Sequence, residues 1–252
     1  MNENTGGTLL RFPVAAYRFQ FNHRFKFRDA ARLVPYLHNL GITDIYASPY
    51  FKARRGSMHG YDIVDPNTLN PEVGTEEEFD AFVNELRGHG MGQILDIVPN
   101  HLCTDNENSW WMDVLENGPS SPYAGFFDIG WRSSIGRLAN KILIPLLGDQ
   151  YGKVLEQQEL KLIFEGGAFF LTYYQEKFPV LPNSYLAILE HRIADLKETL
   201  REDDPDLVEF LSILTAVKHL PLYTETDPDK TAERYREKEI IKKRLFSLYG
   251  RS

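Results

Sequence analysis

Strand and helix signals alternate along the first hundred residues, and this order restricts the fold more than any other feature of the sequence. Apolar positions at helical spacing predict one helix over 29–40, which contains Pro35, and a second over 75–88, opened by a capping box of Thr75 and Glu78. Short apolar runs predict three strands, at 14–19, 42–47 and 93–98. Because strands joined through helices pair in parallel with right-handed crossovers, the order predicts a parallel α/β sheet.

The remaining segments follow different patterns. The stretch at 51–73 is rich in Gly, Pro, Asp and Asn and is predicted to be one long loop. After His101, strand-like runs without an intervening helix predict a small antiparallel sheet, with strands at 141–147, 160–164 and 168–174. From Ser184 onward, apolar stripes predict helices, and the Lys- and Arg-rich stretch at 229–244 is expected to be a solvated helix face.

Charge and composition exclude several function classes. Lys and Arg number 28 against 36 Asp and Glu, and the net charge of −8 disfavours general electrostatic binding to nucleic acid. The single cysteine, Cys103, rules out an internal disulfide and a Cys-rich zinc site. No apolar run approaches the ~20 residues that cross a bilayer, and the opening residues show no secretory signal. We therefore expect a cytoplasmic protein with no membrane and no nucleic-acid partner.

The number of strand–helix units is small for the length of the chain. A (β/α)8 barrel takes about 250 residues and eight such units. This chain has 252 residues but shows three units, so it either adopts another fold or begins a larger barrel. Aromatic residues make up 13% of the chain, which is compatible with carbohydrate binding and also with a large apolar core.

Two polar motifs lie where an α/β barrel builds its active site, after the carboxyl ends of strands. The segment at 59–66 reads HGYDIVDP and follows the second predicted strand, and the segment at 96–101 reads DIVPNH and ends the third. The pair resembles the α-amylase superfamily, glycoside hydrolase family 13, whose first signature motif is Asp-x-x-x-Asn-His at the end of the third barrel strand.

A longer series of segments is similar to the maltooligosyl trehalose synthases within that superfamily. The segments that carry the similarity read, in chain order, AYRFQFN, GSMHGYD, NPEVG, NSWWMDVLENG, SPYAGFFDI and IPLLG. They span most of residues 13–180, and the similarity weakens over the helical remainder. Agreement at this many ordered segments is specific.

The resemblance implies a fold and a division of the chain. The fold is the first three βα units of a (β/α)8 (TIM) barrel, with an inserted small mixed α+β subdomain after the third strand and a helical C-terminal part. The N-terminal part of the barrel is expected at 1–100 and the inserted subdomain at 101–252. Within that subdomain, residues 101–180 are expected to be β-rich and residues 181–252 helical.

The resemblance also implies a reaction. The family converts the reducing-end α-1,4 linkage of a maltooligosaccharide to an α,α-1,1 (trehalose) linkage by intramolecular transglucosylation, as an isomerase of the glucosylmutase type. Such retaining chemistry uses a carboxylate nucleophile, a carboxylic acid/base and a glucosyl-enzyme intermediate. No segment here matches the Gly-x-Arg-x-Asp motif that carries the nucleophile. We therefore expect the nucleophile and the acid/base beyond residue 252, and no catalytic residue within this chain.

The same resemblance implies a substrate site. Tyr61 is expected to be the aromatic platform under a sugar ring, with Asp62 and His59 binding hydroxyl groups beside it. His101 is expected to donate a hydrogen bond to a hydroxyl that strengthens as charge develops. Asn100 belongs to the same site, and its counterpart is a calcium ligand in many α-amylases. The rest of an oxygen shell cannot be assigned from the sequence, so we expect no metal and no cofactor.

These assignments have structural alternatives. Tyr61 would otherwise pack at the barrel rim, Asp62 would turn the loop, and His101 would cap a strand end. Asp96 is expected inside the third strand, buried, where it orients its neighbours. Asp62 and Asp96 could act as a hydrolytic pair only if their carboxyl groups lay about 5–10 Å apart.

The whole chain has alternatives too: a non-catalytic α-glucan-binding module, or a subunit that needs a partner chain to complete the barrel. In each case the partner is a maltooligosaccharide or an α-1,4-glucan. At most one of Trp110 and Trp111 is expected to line a distal sugar subsite, because adjacent residues point to different sides. The first and third strands would lack neighbours, so self-association through the exposed barrel edge is expected.

Overall fold

The structure, a computed structural model, describes residues 12–250 of the chain. The chain divides into two compact units, Met1–Asn108 and Ser109–Ser252. The opening residues, on which the expectation about a secretory signal rests, lie mostly outside the described part. Between residues 12 and 250, no helix is both long and apolar enough to cross a membrane.

The first unit contains a parallel sheet, a hairpin and two helices. Its strands are β1 (Ala16–Phe19), β2 (Asp44–Ala47), β3 (Phe51–Ala53), β4 (Ile63–Leu69) and β5 (Gly92–Leu95), and its helices are α1 (Phe27–Asn39) and α2 (Glu76–Gly88). β1, β2 and β5 pair in that order and in parallel, with Asp44 opposite both Ala16 and Gly92. The predicted parallel sheet with helical crossovers is confirmed, although its strands are shorter than predicted.

The two helices show how local sequence sets their ends. Thr75 Oγ1 accepts the backbone N–H of Glu78 at 3.3 Å, and the Glu78 carboxylate accepts that of Thr75 at 3.2 Å. This is the predicted capping box. α1 continues through Pro35, because burial of the apolar face of the helix offsets the one hydrogen bond that proline removes.

An aromatic core joins the helices to the sheet. Phe21, Phe27 and Phe82 are fully buried, and their ring centroids lie 5.3, 5.9 and 6.4 Å apart. Ile45 of β2 is buried in the same cluster. Because rings of this size occupy one well-packed arrangement, the core fixes the strands whose carboxyl ends carry the site.

The segment at 51–73 is not one long loop, as predicted, but contains an antiparallel hairpin. Phe51 of β3 pairs with Leu69 of β4, and Ala53 pairs with Ile63, with an irregular register between them. Pro66 lies within β4, and a proline in a sequence normally argues against a strand. A strand at the edge of a sheet nevertheless tolerates proline. The hairpin anchors both ends of the loop that carries the motif at 59–62.

The second unit combines an antiparallel sheet with helices. Its elements up to residue 250 are α3 (Ser109–Asn117), α4 (Tyr151–Glu156), β6 (Leu160–Glu165), β7 (Ala168–Tyr173), β8 (Glu176–Pro179), α5 (Tyr185–Leu189), α6 (Ile193–Thr199), α7 (Pro205–His219) and α8 (Pro228–Tyr249). β6, β7 and β8 form an antiparallel sheet in that order. The predicted strands at 160–164 and 168–174 are confirmed.

Other predictions for this unit are wrong. Residues 141–147 form no strand, because Pro145 interrupts the apolar run and Leu143 is exposed. The third strand is β8, whose short, half-polar sequence gives little signal. No helix is predicted from the sequence between His101 and Ser184, but α3 and α4 lie there. The apolar stripe that starts at Tyr185 is divided between α5 and α6 by Arg192, which has a left-handed φ of 58°.

Helix α8 is partly buried, contrary to the expected solvated face. Ile241 and Leu245 are buried in the apolar core of the second unit. Glu116 of α3 accepts hydrogen bonds from Lys238 at 3.0 Å and from Lys242 at 2.5 Å, and all three side chains are largely buried. Ion pairing is what makes burial of these charges tolerable, and the charge pattern of the sequence does not reveal the partner on α3.

Candidate functional site

The carboxyl ends of the parallel strands bring charged and aromatic side chains to one edge of the sheet. Arg18 lies near the end of β1, Tyr46 lies near the end of β2, and Asp96 directly follows β5. Tyr61 joins them from the loop between β3 and β4. We call these four residues the strand-edge cluster. Active sites of α/β barrels are built at this edge, so the cluster is the candidate site.

Hydrogen bonds join the strand-edge cluster around one carboxylate oxygen. Oδ2 of Asp96 accepts the Tyr61 hydroxyl at 2.5 Å and the Tyr46 hydroxyl at 3.0 Å. Arg18 donates to the same oxygen at 3.3 Å and to the Tyr61 hydroxyl oxygen at 2.9 Å. The Arg18 guanidinium also lies over the Tyr46 ring, with its carbon 4.6 Å from the ring centre.

The hydrogen bonds shift the ionisation of the cluster. The Tyr61 hydroxyl lowers the pKa of Asp96, burial opposes the shift, and Tyr46 and Arg18 add to it. The same bond raises the pKa of Tyr61, because the carboxylate stabilises the protonated phenol, whereas Arg18 acts in the opposite direction. At neutral pH the cluster therefore holds an ionised carboxylate, a neutral phenol and a charged guanidinium.

A second set of hydrogen bonds shapes the loop that carries Tyr61. The Ser57 hydroxyl donates a short hydrogen bond to Asp62 and accepts the backbone N–H of Gly60 at 3.1 Å. His59 Nδ1 accepts the backbone N–H of Tyr61 at 3.0 Å and lies 3.9 Å from Oδ1 of Asp62. The His59 and Tyr61 rings stack with centroids 6.1 Å apart. Asp62 thus turns the loop while it stays half-buried next to Tyr61.

His101 and Asn100 both lie on the exposed segment after β5. His101 Nε2 lies 3.1 Å from the backbone oxygen of Tyr61, so it donates there when Nε2 carries the proton. Asn100 is exposed. Among residues 12–250, no three His, Cys, Asp or Glu side chains assemble as metal ligands, and Asn100 alone does not make a calcium shell.

The structure brings most of the predicted site residues together. Tyr61 and Asp96 are in direct contact, and His59, Asp62 and His101 surround the Tyr61 backbone. The expectation that Asp96 is buried inside its strand is wrong. β5 ends at Leu95, so the Asp96 side chain lies past the strand end and keeps 19% of its surface exposed.

Arg18 and Tyr46 are not predicted as site residues from the sequence alone. Both lie in short, mostly apolar runs and were assigned to strands rather than to a site. A signal was available for Arg18, because a charged residue between Tyr17 and Phe19 near the end of a barrel strand faces away from an apolar core. Tyr46 carries no such signal, because tyrosine is ordinary in strands.

The two tryptophans of the second unit differ in burial. Trp111 is buried and its ring packs on Phe127 at 5.2 Å. Trp110 is half-buried, and its ring is stacked nearly parallel on Tyr123 at 5.2 Å. Trp111 therefore contributes to packing, and Trp110 alone of the pair keeps the candidate role at a distal sugar subsite.

Comparisons with known proteins show which family the chain resembles. Residues 31–181 match the α-amylase catalytic domain. A putative maltooligosyl trehalose synthase of Mycobacterium tuberculosis is 44% identical over 147 residues, which are 55% of this chain. A crystal structure of a maltooligosyl trehalose synthase superposes on 67% of this chain with a TM-score of 0.63 and 36% identity. The synthase from Arthrobacter ramosus covers the same share with a TM-score of 0.59 and 37% identity.

The chain spans about a fifth of the length of these relatives. It covers 19% of the M. tuberculosis protein, 23% of the chain in the first crystal structure and 21% of the A. ramosus enzyme. The match to the catalytic domain nevertheless extends over more than half of the present sequence and includes the segment that carries Tyr61 and Asp96. The chain belongs to the α-amylase family.

Proposed function

We propose that the chain is the amino-terminal part of an enzyme that converts the reducing-end α-1,4 linkage of a maltooligosaccharide to an α,α-1,1 linkage by intramolecular transglucosylation. The strand-edge cluster carries the proposal, because it holds an aromatic ring beside an ionised carboxylate at the edge where barrels build active sites. Similarity to maltooligosyl trehalose synthases supports the choice of reaction within the family.

The proposal gives each residue of the site a task. Tyr61 offers a ring face on which the C–H face of a sugar packs, and its hydroxyl is hydrogen-bonded to Asp96. His59, Asp62 and His101 lie around the Tyr61 backbone and bind sugar hydroxyl groups. Asn100, exposed beside His101, extends the same rim. Sugar hydroxyls are uncharged and can each donate or accept a hydrogen bond, so they can bind to any of these side chains.

Asp96 orients its neighbours and does not attack the sugar. Its Oδ2 accepts three hydrogen bonds, and these stabilise the carboxylate and lower its basicity. Retaining transfer needs a nucleophile and an acid about 5–5.5 Å apart. In this proposal both carboxyl groups lie beyond residue 252, residues 1–100 form the start of the barrel, and residues 101–252 form a subdomain inserted after the third strand.

Binding of maltopentaose to the purified chain tests the proposed site. We expect a dissociation constant in about the millimolar range, because only part of the sugar pocket is present. Tyr61→Ala should abolish measurable binding, whereas Tyr36→Ala, which removes an exposed tyrosine from α1, should leave it unchanged. Cellopentaose, with β-1,4 linkages, should bind more weakly than maltopentaose. Equal binding by the wild type and Tyr61→Ala would refute the site.

Product analysis tests where the reacting carboxylates lie. The purified chain incubated with maltopentaose should form no α,α-1,1-linked product, because neither Asp62 nor Asp96 has the role of nucleophile. Formation of that product, and its loss in Asp62→Asn, would show that the reacting groups lie within these 252 residues.

A further inference from the structure

We propose that Arg18 is a positioning residue of the sugar site: its guanidinium holds the Tyr61 ring in the orientation that carries a sugar. The inference rests on the proposed function and specifies one part of it. Arg18 acts through the hydroxyl of Tyr61 and through Asp96, and it does not need to touch the sugar.

The two side chains differ in how firmly the fold holds them. Arg18 lies on β1 and is paired in register with Tyr46 of β2, so its backbone is fixed in the sheet. Tyr61 lies on the loop between β3 and β4, and the ring stacked against it belongs to His59, whose side chain is 58% exposed. A ring on a loop needs a partner on a rigid element if it is to keep one orientation.

The hydrogen bonds of the Tyr61 hydroxyl provide this anchor. The hydroxyl donates to Asp96 at 2.5 Å and accepts from Arg18 Nη2 at 2.9 Å. These two hydrogen bonds fix the position of the hydroxyl oxygen and thus the direction of the ring axis, and because hydrogen bonds of a phenol lie near the plane of its ring, they also favour one ring plane. Arg18 Nη1 also donates to Asp96 at 3.3 Å, so each of the three side chains is hydrogen-bonded to the other two.

Arginine suits this position because of its shape. Its planar fork reaches two partners at once, whereas the ammonium group of lysine is a point donor on a flexible stem. The guanidinium also lies over the ring of Tyr46, which limits its own motion. Arg18→Lys should therefore keep the positive charge beside Asp96 but hold the Tyr61 ring in its orientation less firmly.

A double-mutant cycle tests whether Arg18 acts through the Tyr61 hydroxyl. Maltopentaose dissociation constants are measured for the wild type, Arg18→Met, Tyr61→Phe and the double variant. We expect Arg18→Met to weaken binding about fivefold when Tyr61 is present. In the Tyr61→Phe background, which keeps the ring, the same change should have less than about a twofold effect. Equal weakening in both backgrounds would mean that Arg18 binds the sugar directly and would overturn the proposal.

Two further variants complete this cycle. Arg18→Lys should give an intermediate affinity. Arg32→Met, which removes an exposed arginine from α1, should bind maltopentaose as the wild type does. Circular dichroism of each variant establishes that the fold is retained. Full affinity in Arg18→Lys would show that charge alone is sufficient and that the fork has no positioning role.

Titration of tyrosine labelled at Cζ with 13C gives a readout that needs no sugar. Arg18→Met should raise the pKa of Tyr61 further, because a neighbouring cation is removed, and Asp96→Asn should lower it. An unchanged Tyr61 titration in Arg18→Met would overturn the proposal even if the wild type binds maltopentaose. The expected shifts in a chain that binds no maltopentaose would instead refute the proposed function and leave the positioning of Tyr61 by Arg18 intact.

Discussion

The Tyr61 hydroxyl donates a 2.5 Å hydrogen bond to Oδ2 of Asp96, a residue 35 positions later in the chain. The bond joins the motif at 59–66, on the loop and second strand of a hairpin, to the motif at 96–101, which directly follows a parallel strand. The two motifs are thus in direct contact, and the hydrogen bond lowers the pKa of Asp96 and raises that of Tyr61. The stability of the chain at low pH should therefore depend on the Tyr61 hydroxyl.

Removal of the Tyr61 hydroxyl should raise the pKa of Asp96. The native pKa of Asp96 is below its ordinary value, with the Tyr61 hydrogen bond as the largest cause. Asp96 therefore contributes stability that is present above its unfolded pKa and is lost as the pH falls through the native pKa. Tyr61→Phe should shift that loss to higher pH, as measured by carboxyl 13C titration and denaturation between pH 2 and about 5. Tyr36→Phe is the control. An Asp96 titration that Tyr61→Phe leaves unmoved would contradict this coupling.

Gly60 and Gly56 form a matched pair for testing the loop. Both have a φ of +75°, which disfavours any side chain. A Cβ on Gly60 would meet the carbonyl oxygen of Pro49, whereas a Cβ on Gly56 would meet open space. We expect Gly56→Ala to lower the free energy of unfolding by about 1 kcal/mol and Gly60→Ala by about 2 kcal/mol more. Equal losses of unfolding free energy in urea denaturation would mean that the loop rearranges around a side chain at position 60 at no cost in stability.

The structure also explains which parts of the fold can be predicted from the sequence and which cannot. Periodicity identifies β1, β2 and β5 with their helices, because an apolar face toward one core imposes a regular spacing. It fails at β4, where Pro66 and Asn67 signal a turn although backbone pairing with β3 is still possible at an edge. Pairing between strands is not visible in the composition of either strand.

The site divides in the same way. Tyr61, Asp62 and His101 are predicted as site residues from motifs, because the resemblance to a known family supplies the roles expected of them. Arg18 and the precise exposure of Asp96 depend on where strands end and on which side chains meet there. Those distances follow from tertiary packing, so they could not be obtained from spacing along the chain.

Loss of the buried anion in the second unit should destabilise the chain strongly. Glu116 is largely buried between Lys238 and Lys242, and Glu116→Gln would leave these two buried cations with only the exposed Glu239, whose carboxylate lies 3.6 Å from each of them. We expect a loss of about 3–5 kcal/mol in the free energy of unfolding. Glu165→Gln breaks an exposed pair with Lys177 and should cost no more than about 1 kcal/mol. Similar effects of the two variants in urea denaturation would refute the structural importance of the buried cluster.

Self-association through the strand edges remains a prediction. Among the described residues, β1 and β5 each pair with β2 and lie at the edges of the parallel sheet. Tyr17 on β1 and Ile94 on β5 are partly exposed apolar side chains on these edges. We expect light scattering at ~10–100 µM to show oligomers, and Tyr17→Lys with Ile94→Lys to shift them toward monomer.

The control for this test introduces the same charge elsewhere. Ile240→Lys alters an exposed position of similar size on α8 and should leave the mass unchanged. Deletion of α8 would not test the prediction, because Ile241 and Leu245 belong to the core of the second unit and the chain would lose stability. A wild-type chain that stays monomeric across the concentration range would contradict the prediction.

The central claim is that the strand-edge cluster and its loop form part of a pocket for an α-1,4-glucan. Backbone and side-chain chemical shifts of the labelled chain, followed during titration with maltopentaose, test it most directly. The account predicts that the largest shifts occur at Tyr61, Asp62 and His101 and saturate in about the millimolar range. Shifts confined to other parts of the surface, with none at these three residues, would contradict it.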